Sequence, residues 1–344
     1  MYWTQQASEL SLPDWQREDA MAQLPAMDFR TPPPMGETAR DYCRFYGLDL
    51  AESRPAVRHH MGTLNVDGYC LATHYYRHQY SRGTAFVLHG FFDHAGLYGR
   101  LMGHCLDEGL DVLVFDLPGH GLSSGERASI SSFSQYRRVL AGVMESCRPH
   151  LKGPWVAVGQ STGGALLIDY LLLSGHDRDS AEFSAVVLLA PLIRPVGFTS
   201  GGVLHSLLKP FVRHWKRAFV VNSNDSVFVR FQQHYDPLQS RRFAVKWVTA
   251  LREWVSQVES AVPVDYDLTV IQGEQDNTVA WRHNLRVLKH KFARLWVFQL
   301  PQARHHLVNE SETLLAEVLH AVSESFNRVL PPRVKAPGKH NRNE

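Results

Sequence analysis

The pattern Gly-x-Ser-x-Gly, which can hold a serine hydroxyl on a sharp turn, occurs twice: Gly121-Leu122-Ser123-Ser124-Gly125 and Gly159-Gln160-Ser161-Thr162-Gly163. At about 7% glycine usage, a chance copy is expected in roughly one chain in ten of this size, so context must choose. A nucleophile elbow needs a strand that turns abruptly into a helix. Small residues two before and two after the serine keep the crossing chains from colliding. Ser161 has both neighbours: the apolar run Trp155-Val156-Ala157-Val158 before it, and the almost wholly apolar stretch 165–173 after it. Ser123 has neither. Pro118-Gly119-His120 separates it from its strand, and a polar segment follows. Ser161 is therefore the candidate nucleophile, and Ser123 reads as a turn residue.

A serine hydroxyl becomes a useful nucleophile when a histidine takes its proton and a carboxylate holds that histidine in the right tautomer. In a sheet carrying such an elbow the chain order is serine, acid, histidine, with acid and base in loops after late strands. The chain has nineteen histidines, so position does the sorting. The strand-like run ending at Ile271 is followed by Gln272-Gly273-Glu274-Gln275-Asp276, which makes Asp276 the candidate acid and Glu274 its alternative. The run ending at Leu300 leads to Ala303-Arg304-His305-His306-Leu307. His305 is the candidate base, and His306 stays open because spacing cannot separate neighbours. Acyl transfer also needs amide donors aimed at the developing oxyanion. The backbone N–H groups of Thr162 and of Phe91, in the loop His89-Gly90-Phe91-Phe92, are the candidates. His89 reads as a packed loop residue.

These residues need elements to position them. Short runs at 84–88, 112–115, 155–158, 185–189, 268–271 and 295–298 are apolar throughout, as strands buried on both faces must be. Helical patterns lie between most of them, at about 97–109, 131–148, 162–174, 281–292 and 311–328. The alternation predicts an α/β fold with a mostly parallel, doubly wound sheet. A hairpin, 58–64 and 69–77 around Val66-Asp67-Gly68, precedes it. About 75 residues between Pro191 and Leu268 break the rhythm, too many for a loop. The expected organisation is an irregular, wrapping N-terminal extension over 1–55, a core formed by 56–194 and 263–330, a helical cap inserted at 195–262, and a disordered basic tail at 331–344.

Bulk properties narrow the reading. The 344 residues carry a formal net charge of +2, with 44% hydrophobic and 20% charged residues. That is ordinary for a soluble globular protein and gives no reason to expect a nucleic-acid partner. The four cysteines, Cys43, Cys70, Cys105 and Cys147, are far apart. Their spacing suggests neither a zinc site nor a disulfide framework, so no metal and no cofactor are expected. The N-terminal residues lack the pattern of a signal peptide, and no apolar run reaches bilayer-spanning length. A cytoplasmic location is expected, with peripheral contact at the inner membrane surface as an option.

Several segments together resemble one family. His89-Gly90-Phe91-Phe92-Asp93-His94, Asp116-Leu117-Pro118-Gly119-His120-Gly121-Leu122-Ser123, Gly159 to Gly163, Gly273 to Asp276 and Ala303 to Leu307 stand in the order found in the lysophospholipase and monoacylglycerol lipase group of α/β-hydrolases, serine aminopeptidase S33-type proteins. The resemblance covers roughly 57–328. It implies Ser161, Asp276 and His305 as a triad, with the N–H groups of Phe91 and Thr162 as the oxyanion hole. In such relatives the histidine is often followed by an acidic residue and leucine; here His306-Leu307 follow. Many monoacylglycerol lipases have glycine where Phe92 stands.

The implied function is a serine hydrolase of carboxylic esters, of lysophospholipid or monoacylglycerol type, working through an acyl-enzyme on Ser161. Short-chain esterase, thioesterase, peptidase and acyltransferase activities share the triad. A catalytically silent ligand-binding scaffold is the reading from another class. The serine at the elbow disfavours haloalkane dehalogenases and epoxide hydrolases, which need aspartate there. Between Pro191 and Asn224 there is no acidic residue, while Arg194, Lys209, Arg213, Lys216 and Arg217 are basic. Leu204, Leu207, Leu208, Phe211, Trp215 and Phe219 follow helical spacing. This predicts a basic amphipathic cap helix, which packs on the core or rests on an anionic lipid surface. The expected partner is a small acyl ester or lysolipid, and the oligomeric state is not specified.

Overall fold

The structure is a computed structural model that describes residues 16–202 and 212–333. Its centre is an eight-stranded sheet in the order β1-β2-β4-β3-β5-β6-β9-β10. The strands are β1 (Val57–Val66), β2 (Tyr69–His78), β3 (Thr84–Leu88), β4 (Asp111–Phe115), β5 (Trp155–Gln160), β6 (Phe183–Leu189), β9 (Val264–Gly273) and β10 (Phe292–Leu300). Only β2 runs against its neighbours; the strands from β4 through β10 pair in parallel. The α/β fold expected from the alternating runs is the one observed. The β1–β2 turn is Asp67-Gly68, both at positive φ (48° and 79°), the conformation a two-residue hairpin turn requires.

The period of two along each strand explains the two cores. Ala85 and Val87 of β3 and Val112 and Val114 of β4 face one side. Phe86, Leu88, Leu113 and Phe115 face the other. Helices α3 (Gly99–Asp107) and α9 (Glu312–Asn327) cover the first side, and α4 (Phe133–Cys147) and α5 (Thr162–Ile168) cover the second. Every residue of α5 is buried, which is why that stretch is apolar all round.

Three expectations need correction. The extension is not irregular throughout: it contains α1 (Arg17–Ala22) and α2 (Glu37–Tyr46), whose Tyr42, Cys43 and Tyr46 are buried. The run in β10 is not buried on both faces. It is an edge strand, with Trp296 41% and Val297 39% exposed. The continuous helical spacing drawn from Leu204 to Phe219 also fails in part. Residues 203–211 lie outside the described residues, while Trp215 sits in β7 (His214–Lys216), paired antiparallel with β8 (Arg242–Ala244). The rest of the segment between β6 and β9 holds α6 (Ser226–His234) and α7 (Val245–Ser260). Helix α8 (Trp281–Lys291) joins β9 to β10. No helix among the described residues is long and apolar enough to cross a membrane. The proposed tail lies, from residue 334, outside the described residues.

Candidate active site

The end of β5 and the start of α5 force the backbone at Ser161 into a conformation that side chains rarely adopt, φ 52° and ψ −108°. Strain of this kind costs about 1–3 kcal/mol and persists only where surrounding packing over-determines it. The flanking glycines show how tightly the turn is closed. A Cβ on Gly163 would lie 2.1 Å from the Leu88 carbonyl oxygen, and one on Gly159 would lie 2.5 Å from Gly163. Neither position has room for alanine.

The serine meets a histidine from the far end of the chain. Ser161 Oγ is 3.0 Å from His305 Nε2, and His305 Nδ1 is 2.7 Å from Asp276 Oδ2. The carboxylate accepts only, so His305 carries its proton on Nδ1 and leaves Nε2 to accept from the serine hydroxyl. The other carboxylate oxygen of Asp276 accepts the amides of Thr278 (2.7 Å) and Val279 (3.1 Å). All three side chains are buried. Burial alone would lower the His305 pKa and raise that of Asp276. Their attraction and hydrogen bond outweigh it in both, so His305 lies above its ordinary value of 6.5 and Asp276 below 3.8.

The competing residues fall elsewhere. Ser123 is fully buried; its hydroxyl donates to the Asp116 carbonyl (2.6 Å) and accepts the Ala72 amide (2.9 Å). His306 lines the same cavity but makes no bond to Ser161; its Nε2 lies 3.2 Å from Asp93 Oδ2 and its ring 4.5 Å from that of Phe228. Glu274 makes no hydrogen bond to His305, whose Nδ1 is taken by Asp276. His89 uses both ring nitrogens on backbone, accepting the Leu117 amide and donating to the Gly90 carbonyl. Thr162 opens α5, so its amide has no acceptor within the helix. Thr162 and Phe91 line the same cavity as Ser161 and His305.

Comparison with known proteins gives the family and the fold. The profile of the family described as "Serine aminopeptidase, S33" matches residues 79–312. The chain belongs to that family. It is 29% identical to the mouse (Mus musculus) protein named monoglyceride lipase over 288 residues, 80% of this chain and 91% of that one. The human (Homo sapiens) monoglyceride lipase is 27% identical over the same shares. Among solved structures, a soluble variant of monoglyceride lipase from Saccharomyces cerevisiae, in complex with a substrate analog, aligns with TM-score 0.69 at 18% identity. That alignment covers 79% of this chain and 95% of the other, and it establishes the shared α/β-hydrolase fold.

Within this S33 hydrolase, a cavity of about 400 Å³ opens above Ser161. Its wall is mostly apolar: Phe91, Leu192, Trp247 and Leu251 among others, with Phe91 and Trp247 stacked at 3.9 Å. Phe92, also on the wall, has φ 70°. Glycine adopts that conformation freely, so the glycine that resembling lipases carry there has a backbone reason, and this chain bears the strain for a second aromatic ring. Arg217 sits against that ring, 4.1 Å from its centroid and 4.3 Å from that of Phe219. Burial lowers its pKa to about 10, so it stays charged at neutral pH. Among the described residues it pairs with no carboxylate.

Sequence reasoning missed several contributors. Gln160, the variable position before the serine, donates to the His305 carbonyl (2.8 Å) and accepts the Leu307 amide (3.2 Å). Gln272 donates to Asp276 Oδ2 (3.2 Å). In the sequence Arg217 is one of five basic residues between Pro191 and Asn224. Gln160 and Arg217 had no local signal, because their partners Leu307, His305 and Phe92 lie far along the chain; Gln272 stands only four residues before Asp276, and that spacing was the signal available.

Proposed function

We propose that this protein hydrolyses single-chain lipid esters, with Ser161 as nucleophile, His305 as general base and then acid, and Asp276 as orienter. The observation that carries the reading is the unbroken pair of contacts, 2.7 Å and 3.0 Å, from Asp276 through His305 to Ser161 at the floor of a mostly apolar cavity. The names of the relatives support a carboxylic ester as the substrate class.

The steps follow from the positions. Ser161 Oγ attacks the ester carbonyl as its proton passes to His305 Nε2. The oxyanion takes hydrogen bonds from the amides of Thr162 and Phe91. His305 then protonates the leaving alkoxide, and the acyl group remains on Ser161. Water, deprotonated by the same nitrogen, releases the fatty acid. Asp276 keeps the imidazole in the reactive tautomer and stabilises the imidazolium that forms in between.

The cavity suits an acyl chain by its apolar wall, and its volume lies at the lower end of the range for ligand sites. Arg217 favours a substrate whose head group carries negative charge, because a half-buried guanidinium without an acidic partner gains most from a phosphate. A lysophospholipid is therefore preferred over a neutral monoacylglycerol.

Lysophosphatidylcholine, lysophosphatidylglycerol, monoacylglycerol and short p-nitrophenyl esters, each tested with wild type and Ser161→Ala, rank the substrates. The expected result is turnover of long-chain monoacyl lipids by wild type and none by the variant. Fluorophosphonate should label wild type alone. Turnover restricted to acetate esters would overturn the lipid assignment, and unlabelled folded wild type would overturn the enzyme.

A further inference from the structure

The widely spaced cysteines suggest no metal ligand set in the sequence, yet the fold brings one of them to two histidines. Cys43 lies on α2, His59 on β1 and His74 on β2. One ligand atom from each lies within 4.8 Å of the others, on the opposite side of β2 from Tyr75 and away from the catalytic cavity. Cys43 is 3% exposed, His74 fully buried and His59 half-buried. His59 Nε2 and His74 Nδ1 are 3.0 Å apart, and the rings stack with that of Tyr76. A second sulfur is close: Met35 Sδ is 3.9 Å from Cys43 Sγ.

We propose that Cys43, His59 and His74, with Met35 as a weak fourth ligand, bind one thiophilic transition-metal ion, zinc(II) or copper(I). Thiolate, thioether and imidazole are the donors these soft ions select, and calcium and magnesium require oxygen instead. Three atoms within 4.8 Å of one another leave a point no more than about 2.8 Å from each, against roughly 2.0–2.3 Å for zinc–nitrogen and zinc–sulfur bonds. A contraction of about half an ångström per ligand, reachable by side-chain rotation, closes the shell.

One further observation supports a ligand here. Met35, Cys43 and His59 also line a small cavity of about 210 Å³, which supplies an entry path from solvent. Asp49 and Glu52 on its wall offset the charges of Arg40 and Arg44.

The binding step exchanges one proton for the metal: the Cys43 thiol loses H⁺ as its sulfur bonds the ion. The proton between the two imidazoles moves to an outer ring nitrogen, so both stay neutral. Burial raises the Cys43 thiol pKa and lowers that of both histidines, to about 4 for His74. The histidines are thus ready as neutral ligands, and affinity should rise with pH as the thiol proton becomes easier to displace. The ion would fasten α2 to the β1–β2 hairpin.

The test is titration of the reduced full-length protein with cobalt(II), followed by displacement with zinc(II), and separately with copper(I). One cobalt per chain should bind with a thiolate-to-metal charge-transfer band, and one equivalent of zinc should abolish the band. The band should vanish in Cys43→Ser and His59→Phe and persist in Cys70→Ser and in His305→Ala. His59→Phe keeps the stack on Tyr76, so it decides the matter if Cys43→Ser fails to fold. A band that survives both substitutions, or absence of a thiolate band with cobalt and of stoichiometric binding with copper(I), overturns the proposal.

Discussion

Replacing Gln160 with leucine tests how His305 is held in place while leaving Ser161, His305 and Asp276 untouched. The Gln160 side chain is 1% exposed. It reaches a loop 145 residues away, donating to the His305 carbonyl at 2.8 Å and accepting the Leu307 amide at 3.2 Å. Leucine keeps the bulk and removes both bonds, leaving a carbonyl and an amide buried without partners. Each orphan costs about 1–3 kcal/mol, so the pair is worth about 2–6. With water from the adjoining cavity reaching one of them, the expected loss of folding stability is about 1–3 kcal/mol.

The chemical effect is separate. His305 is itself one of the two anchored residues, so releasing the loop displaces the imidazole. A shift of about 1 Å in a reacting group costs roughly 10²-fold in rate. Gln160→Leu should therefore lower kcat about 10²-fold with little change in KM, because the apolar wall formed by Phe91, Leu192, Trp247 and Leu251 is untouched. Turnover of a p-nitrophenyl ester, the rate of fluorophosphonate labelling and urea denaturation measure the three quantities. If stability falls as expected while Ser161 labels at the wild-type rate, Gln160 props the fold and does not position the base. If stability is unchanged, the two bonds have been replaced and the energetic reasoning is wrong.

Other expectations follow from the same structure. Asp276→Asn should reduce kcat by about 10⁴. Wild-type activity should fall as pH drops through the raised His305 pKa, above 6.5, because the base must be neutral. In the variant that limb should move to lower pH, and an unmoved limb in the pH–rate profile would show that Asp276 does not set the histidine. The raised histidine value gives stability that is complete below about pH 6.5 and lost as pH rises through it. The depressed Asp276 value gives stability present above about pH 4 and lost as pH falls through it. The stability gap between wild type and variant should thus be widest between these limits. Arg217→Met should cost about 10–100-fold in kcat/KM for lysophosphatidylglycerol, the worth of a charge-assisted hydrogen bond. Monoacylglycerol turnover should change little, and equal losses on both lipids would remove the head-group role. Asp236 is fully buried and joins Tyr46 (2.7 Å) to His94 (3.1 Å). Asp236→Ala should cost about 3–5 kcal/mol in urea denaturation, and a loss under 1 kcal/mol would mean that this network does not hold α2 against the core.

What was legible in the sequence was what steric rules make local. The elbow demands small residues at 159 and 163 because a Cβ at either position strikes backbone, and that demand is written within five residues. The apolar runs of β3 to β6 are legible because a parallel strand covered on both faces has no polar position to spare. Strand β10 misleads for the opposite reason. Its apolar run lies on an edge, where Arg294 and Arg328 guanidinium groups lie over the exposed Trp296 ring, so apolar character no longer means burial. Helices α1 and α2 were missed because they are short and mostly polar: α1 has six residues with only Ala20 buried, and α2 has ten with only Tyr42, Cys43 and Tyr46 buried, too few apolar positions for the periodicity that reveals a helix.

The choice between His305 and His306 marks the boundary of that legibility. Both are buried histidines, one residue apart, and each faces an aspartate: Asp276 at 2.7 Å and Asp93 at 3.2 Å. A sequence offers no way to distinguish them, because the decision is made by the direction of the loop, and that direction is set by Gln160 from β5 and by the His306 amide bonding the Asn222 carbonyl. The two side chains divide the work through their surroundings. His305 is left with one free nitrogen aimed at a hydroxyl. His306 is enclosed by Tyr98 and Phe228 beside an aspartate whose pKa burial alone would raise, and which the His306 charge, helped by the Tyr98 hydroxyl, instead holds well below the ordinary range. Asp93 also raises the pKa of His305. The second pair therefore acts on the first across the floor of the cavity, and exchanging the roles of the two histidines would require re-aiming the loop as well as changing a residue.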